Sequence, residues 1–271
     1  MIRSLVLIAA TIVGGSVATA QTNAGSALVT LETRQDSQGW EAVGRLDVID
    51  KGFCTAALIR DKLLLTAAHC VYDDDDQLIS ADEFIFQSGL KNGRAEATRG
   101  ISRLVVHPDY DPTGDGARVN NVAHDIAVLE LDQPIRRTRI QPFPIAARPT
   151  AGDQISIVSY GKDRSEAPSL QESCSVLGRQ NGAIVMNCEA EFGSSGSPVF
   201  RVQNGRAQIV SVVSAIAQAG GKQVSLGTSL QDPLQELLAH FASVGPAQAG
   251  GSQRLITLGE RNTTGAKFVR P

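Results

Sequence analysis

His69, Asp125 and Ser195 are the residues of this chain whose types and neighbours could build an activated nucleophile. His69 closes the apolar run Leu65-Thr-Ala-Ala-His69-Cys70, and Ser195 sits in the glycine-flanked stretch Gly193-Ser-Ser195-Gly-Ser-Pro198. Asp125 lies between them at the head of Asp125-Ile-Ala-Val-Leu-Glu-Leu131, so the chain order is His, Asp, Ser. A serine hydroxyl is a poor nucleophile until a base within about 3 Å takes its proton, and that base must be held in one tautomer by a third group. His69 would be the base, Asp125 its partner and Ser195 the nucleophile. The backbone N–H groups of Gly193 and Ser195 could then hold an oxyanion, each donor typically worth about 3 to 4 kcal/mol in the transition state. Glycine suits position 193, where a side chain could obstruct the turn.

Short apolar segments must position these groups. Runs rich in Val, Ile and Leu recur between Gly, Asp, Asn and Pro punctuation, the pattern of a β-barrel or sandwich. They fall at Ala42 to Ile49, Cys54 to Ile59, Leu63 to Ala67, Glu83 to Gln87, Ile101 to His107 and Asp125 to Leu131. After a proline- and arginine-rich connector, Pro134 to Pro149, a second set occupies Gln154 to Ser159, Gln171 to Leu177, Ile184 to Cys188, Pro198 to Arg201, Gln208 to Ala215 and Gln223 to Ser229. Asp232-Pro-Leu-Gln235 reads as a helix start with Asp232 as the cap, and Leu234, Leu237, Leu238 and Phe241 follow at helical spacing to about residue 244.

The first twenty residues read as a secretory signal, with Arg3 as the single charge, an apolar stretch from Leu5 to Val13 and the small-residue site Ala18-Thr-Ala20. The chain is therefore expected to be secreted or periplasmic, beginning near Gln21. No segment is long and apolar enough to span a membrane. Residues 21–39 read as a surface arm or short pro-segment, and residues 246–271 as an extension of no legible function. Acidic residues outnumber basic ones, giving a net charge of −3, and no basic stripe points to nucleic acid. Four cysteines, Cys54, Cys70, Cys174 and Cys188, permit two disulfides in three pairings. No Cys-x-x-Cys or His-x-x-x-His spacing suggests a metal, and no cofactor is implied.

The two flanking motifs, the chain order and the segment His107-Pro-Asp-Tyr110 together resemble the trypsin and chymotrypsin family of serine proteases, from about Trp40 to Val244. The resemblance implies an all-β fold of two six-stranded antiparallel barrels, about 40–135 and 150–230, with the active site between them and a C-terminal helix at 232–244. It implies a monomeric serine endopeptidase acting on proteins or peptides through an acyl-enzyme, with His69, Asp125 and Ser195 catalytic. It also implies a Cys54–Cys70 bond, leaving Cys174 to pair with Cys188. Substrate contacts would come from Glu189, where trypsin-like members keep an acid, and from Ser214, Ala215 and Ile216, the last in place of a glycine that opens a deep pocket. Ile12-Val-Gly-Gly15 looks like an activated amino terminus but lies within the signal. The family's most familiar motif has Asp before the nucleophile and Gly two after it; here stand Ser194 and Ser197, as in some bacterial relatives that include glutamyl endopeptidases. A catalytically silent relative using the cleft as a binding or adhesion module is the alternative reading. Asp73 to Asp76 read as a solvated loop rather than a calcium site.

Overall fold

The computed structural model describes residues 25–114 and 119–245. The signal segment with Ile12 to Gly15, and the extension 246–271, lie outside the described residues. Among the described residues thirteen strands follow one another: β1 (Val29–Thr30), β2 (Val43–Val48), β3 (Gly52–Arg60), β4 (Leu63–Thr66), β5 (Phe84–Ser88), β6 (Ala97–Val106), β7 (Ala127–Leu131), β8 (Gln154–Gly161), β9 (Arg164–Gln180), β10 (Ala183–Met186), β11 (Pro198–Gln203), β12 (Arg206–Ala219) and β13 (Lys222–Ser229). Helix α1 (Val119–Val122) precedes β7, and α2 (Gln231–Val244) follows the last strand.

The first half closes as a six-stranded barrel in the order β2-β3-β4-β7-β6-β5. The second half orders its strands β9-β10-β13-β12-β11-β8, and pairing of β8 with β9 completes the ring. Both are antiparallel, as hairpin-linked strands of these lengths should be. The short strand β1 adds to the edge of β9, Val29 opposite Leu170 and Thr30 opposite Ser169. The segment read as an arm is thus partly a strand of the second barrel.

Each barrel is filled by alternate residues of its strands. Val43, Leu46, Leu58, Leu64, Phe86, Leu129 and Leu131 lie in the first core, with no more than 1% of any of them exposed. Ile157, Val176, Ile184, Met186, Val199 and Val210 fill the second. The first core also takes in residues of the second half, because Trp40, Phe143 and Phe200 cluster across the join with ring centroids 4.7 to 6.2 Å apart. Leu234, Leu237 and Phe241 of α2 are buried in that same core. Arg103 of β6 stacks on the Phe241 ring at 3.6 Å and donates to its carbonyl oxygen. The last helix therefore fastens the end of the second half onto the first barrel.

Two local expectations need correction. Helix α2 begins at Gln231 with Leu230 at the cap and no side-chain capping bond, and Asp232 instead pairs with Arg148. Asp125 does not lie in a strand: β7 begins at Ala127, and Asp125 closes a turn in which its N–H donates to the Val122 carbonyl. His124 lies on His107, their rings stacked at 4.8 Å.

Candidate active site

Strand β4 is buried along its whole length and delivers the chain into a single helical turn at His69–Val71. The disulfide between Cys54 of β3 and Cys70 pins that turn, and Cys174 pairs with Cys188 in the second half. Closing loops of this size stabilises a fold by roughly 3 kcal/mol through the unfolded chain. The His69 Nδ1 lies 2.7 Å from Asp125 Oδ2, and the His69 backbone N–H donates to Asp125 Oδ1 at 2.9 Å. Ser214 Oγ donates a further bond to Oδ2. One carboxylate, 3% exposed, thus accepts from the ring and the main chain of His69 and from β12 of the other barrel.

The protonation states follow from these contacts. Burial alone would raise the Asp125 pKa, but the His69 charge and the bonds from His69 and Ser214 outweigh it and hold the carboxyl below its ordinary value. For His69 burial acts downward, and the Asp125 charge and hydrogen bond carry the imidazole above its ordinary 6.5.

Ser195 lies on the loop between β10 and β11, which is tied to both barrels. Its carbonyl accepts from Thr55 N–H of β3 at 2.8 Å, and Gly196 N–H donates to Val213 of β12 at 2.8 Å. Thr55 Oγ1 donates to the Gly193 carbonyl at 2.9 Å and accepts from Tyr160 N–H at 3.0 Å. Gly193 takes φ +91°, and a Cβ there would lie 2.4 Å from the Phe53 ring. Gly196, at φ +77°, has Thr66 Oγ1 and the Thr55 carbonyl where a Cβ would stand. Both positions therefore demand glycine. Among the described residues, the N–H groups of Gly193 and Ser195 find no protein acceptor.

His69, Gly193 and Ser195 line one cleft of about 690 Å³, which Asp73, Asp74 and Asp75 also line. Those acids turn on their own backbone, Asp73 Oδ1 accepting from the N–H groups of Asp75 and Gln77. Beside Ser195 a smaller cavity of about 250 Å³ is lined by Ala190, Glu191, Phe192, Val213, Ser214, Ala215 and Ile216. Glu189, expected as a specificity residue, is exposed and is not among those lining residues; its N–H is tied to Gln171 Oε1. His107, Asp109 and His124 bring three potential ligand atoms together, but His107 Nδ1 already accepts from Asp109 N–H. The sequence carried no signal for the hydrogen bond from Ser214 to Asp125 or for the two bonds of the Thr55 hydroxyl, which lies inside an apolar strand.

A family model described as Trypsin matches residues 12–232. The chain belongs to the trypsin family. It is 24% identical over 195 residues to a glutamyl endopeptidase of Bacillus licheniformis, covering 70% of this chain and 60% of that protein. It is 33% identical over 99 residues to rabbit (Oryctolagus cuniculus) coagulation factor IX, 36% of this chain and 33% of the relative. The chain thus spans less than two thirds of the length of either relative. Among solved structures, a Glu endopeptidase in complex with MPD is similar with a TM-score of 0.63 at 20% identity, over 76% of this chain and 92% of that one. The two-barrel expectation accords with this likeness. Among the described residues no helix is long and apolar enough to cross a membrane.

Proposed function

We propose that this chain is an exported serine endopeptidase, in which Ser195 attacks the scissile carbonyl while His69 accepts its proton. The observation that carries the reading is the Asp125 carboxylate, which holds both Nδ1 and the main chain of His69 and so leaves Nε2 for the cleft that Ser195 shares. His69 then returns the proton to the leaving amine, and water repeats the sequence on the acyl-enzyme. Gly193 and Ser195 N–H, which meet no protein acceptor among the described residues, hold the oxyanion. All of these groups come from one chain, so the proposed site needs no residue of a second copy. The two disulfides support an oxidising compartment, outside the cytoplasm.

The substrate side chain next to the scissile bond enters the cavity bounded by Ala190, Val213, Ala215 and Ile216. Its size and its apolar walls suit an uncharged side chain of moderate length. Glu191 borders the cavity, but its carboxylate is engaged by Arg164 at 2.7 Å. Labelling with a fluorophosphonate tests the chemistry directly: the parent should be labelled and Ser195→Ala should not, with peptidase activity falling by at least about 10³-fold. An unlabelled parent, or a Ser195→Ala variant within tenfold of it, would sink the assignment.

A further inference from the structure

We propose that Arg164 is a built-in positioning residue that sets the oxyanion loop, residues 191–195, in its working conformation as soon as the chain folds. This rests on the reading of Ser195 as the nucleophile. The residue before the nucleophile, Ser194, is fully buried and cannot hold a cation by charge. A cation comes to it instead. The Arg164 side chain, 13% exposed, enters from the start of β9. Its Nη2 donates to Ser194 Oγ at 3.1 Å and to Ser159 Oγ at 2.9 Å, and its Nη1 donates to the Ser159 carbonyl at 2.5 Å. Its Nε lies 2.7 Å from Glu191 Oε1. One guanidinium thus joins the end of β8 to two residues of the loop, in the planar fork geometry that lysine lacks.

The main chain shows what the strut holds in place. Lys162 N–H donates to the Phe192 carbonyl at 2.8 Å. In a planar trans peptide the C=O and N–H point opposite ways, so fixing the Phe192 oxygen toward the β8–β9 turn aims the Gly193 N–H away from it. The Gly193 carbonyl is held in turn by Thr55. Gly161 belongs to the same device: a Cβ there would stand 2.0 Å from Glu191 Oε1, so only glycine lets that carboxylate reach Arg164. No amine freed by later cleavage is needed to complete this network.

A guanidinium stays protonated throughout the working range, whereas an amine does not. The charged groups about it are Glu191 of the loop and Glu189 just ahead of it, with Lys162, Asp163 and Glu166 in its own hairpin. Arg45 of β2 reaches the neighbouring Ser165 carbonyl and Glu166. The test compares the full-length exported enzyme with its Arg164→Lys and Arg164→Met variants, following kcat and KM for a chromogenic peptide from pH 6 to 10.5. The parent should stay active to pH 10. Arg164→Met should lose about 10² to 10³-fold, mainly in kcat, the loss typical of one missing oxyanion donor. Arg164→Lys should keep part of the activity at pH 7.5 and gain a new alkaline limb as the lysine loses its proton. That limb decides the matter even if the methionine variant does not fold. An active Arg164→Lys enzyme with the parent's flat alkaline profile overturns the strut alone. A parent that a fluorophosphonate does not label overturns the peptidase reading and the strut with it.

Discussion

Replacing Thr55 by valine should damage both stability and turnover, because its buried hydroxyl ties the first barrel to the Gly193 carbonyl, beside the main-chain bond from Thr55 N–H to Ser195. Thr55 is fully buried, and its Oγ1 bonds the Gly193 carbonyl and the Tyr160 N–H at once. Valine has nearly the same shape but leaves one acceptor and one donor unpaired, at about 1 to 3 kcal/mol each, or about 2 to 6 kcal/mol in all. For a domain of this size each kcal/mol shifts melting by about 2 to 4 °C, so the midpoint should fall by about 4 to 24 °C. With the Gly193 carbonyl released, kcat should drop about 10²-fold at temperatures where the variant is still folded. Thr55→Ser is the control: it keeps the hydroxyl and loses one buried methyl, at about 1 kcal/mol. Calorimetry and peptide hydrolysis at 20 °C give both readouts. If Thr55→Val melts within 2 °C of the parent at full kcat, or Thr55→Ser is equally damaged, the linking hydrogen bonds do not hold the loop.

The pH profile should show an acid limb with a midpoint above 6.5, since His69 must be neutral to act as base and Asp125 holds its pKa up. The same raised pKa stabilises the fold fully below the unfolded value, and that contribution is lost as pH rises through the folded value, where activity appears. Asp125→Asn should move the limb downward and cost about 10⁴-fold in kcat; a kcat/KM titration with a parental midpoint below 6 contradicts this. Ile216→Gly should enlarge the cavity beside Ser195 and shift cleavage toward longer side chains, read from a peptide library. An unchanged library profile would remove Ile216 from the cavity's wall.

The strands were legible where apolar alternation carried them, and less so where pairing alone sets their length. Strand β9 runs from Arg164, well ahead of the apolar stretch at Gln171, because the β8–β9 hairpin pairs polar residues down to Gly161 opposite Arg164. His69 and Ser195 announced themselves through their neighbours, and Gly193 through the steric demand of its turn. Asp125 was found in sequence but set on a strand, because a tight turn of Ala123 and His124 leaves no apolar gap before Ile126. Arg164 was not legible at all: beside Lys162 and Asp163 it reads as a solvated turn, and only the tertiary meeting of that hairpin with the loop gives it partners. Glu189 shows the converse. Counting back from Ser195 places it in a pocket, but the Cys174–Cys188 bond and the Gln171 contact fix its main chain while the side chain stays exposed.

The two-residue strand β1 changes what the second barrel presents to its surroundings. Where it lies, the edge of β9 ahead of β10 is paired: Ser26 N–H donates to the Ser173 carbonyl, Leu31 N–H to the Pro168 carbonyl, and Gln171 Nε2 to the Ser26 carbonyl. Stripped of residues 25–31, the same edge would offer a row of open donors and acceptors, the template on which sheets of separate molecules stack. Residues 25–31 thus occupy backbone groups on which a strand of another molecule could otherwise pair. Deleting them should be seen first as increased light scattering, with peptide hydrolysis retained.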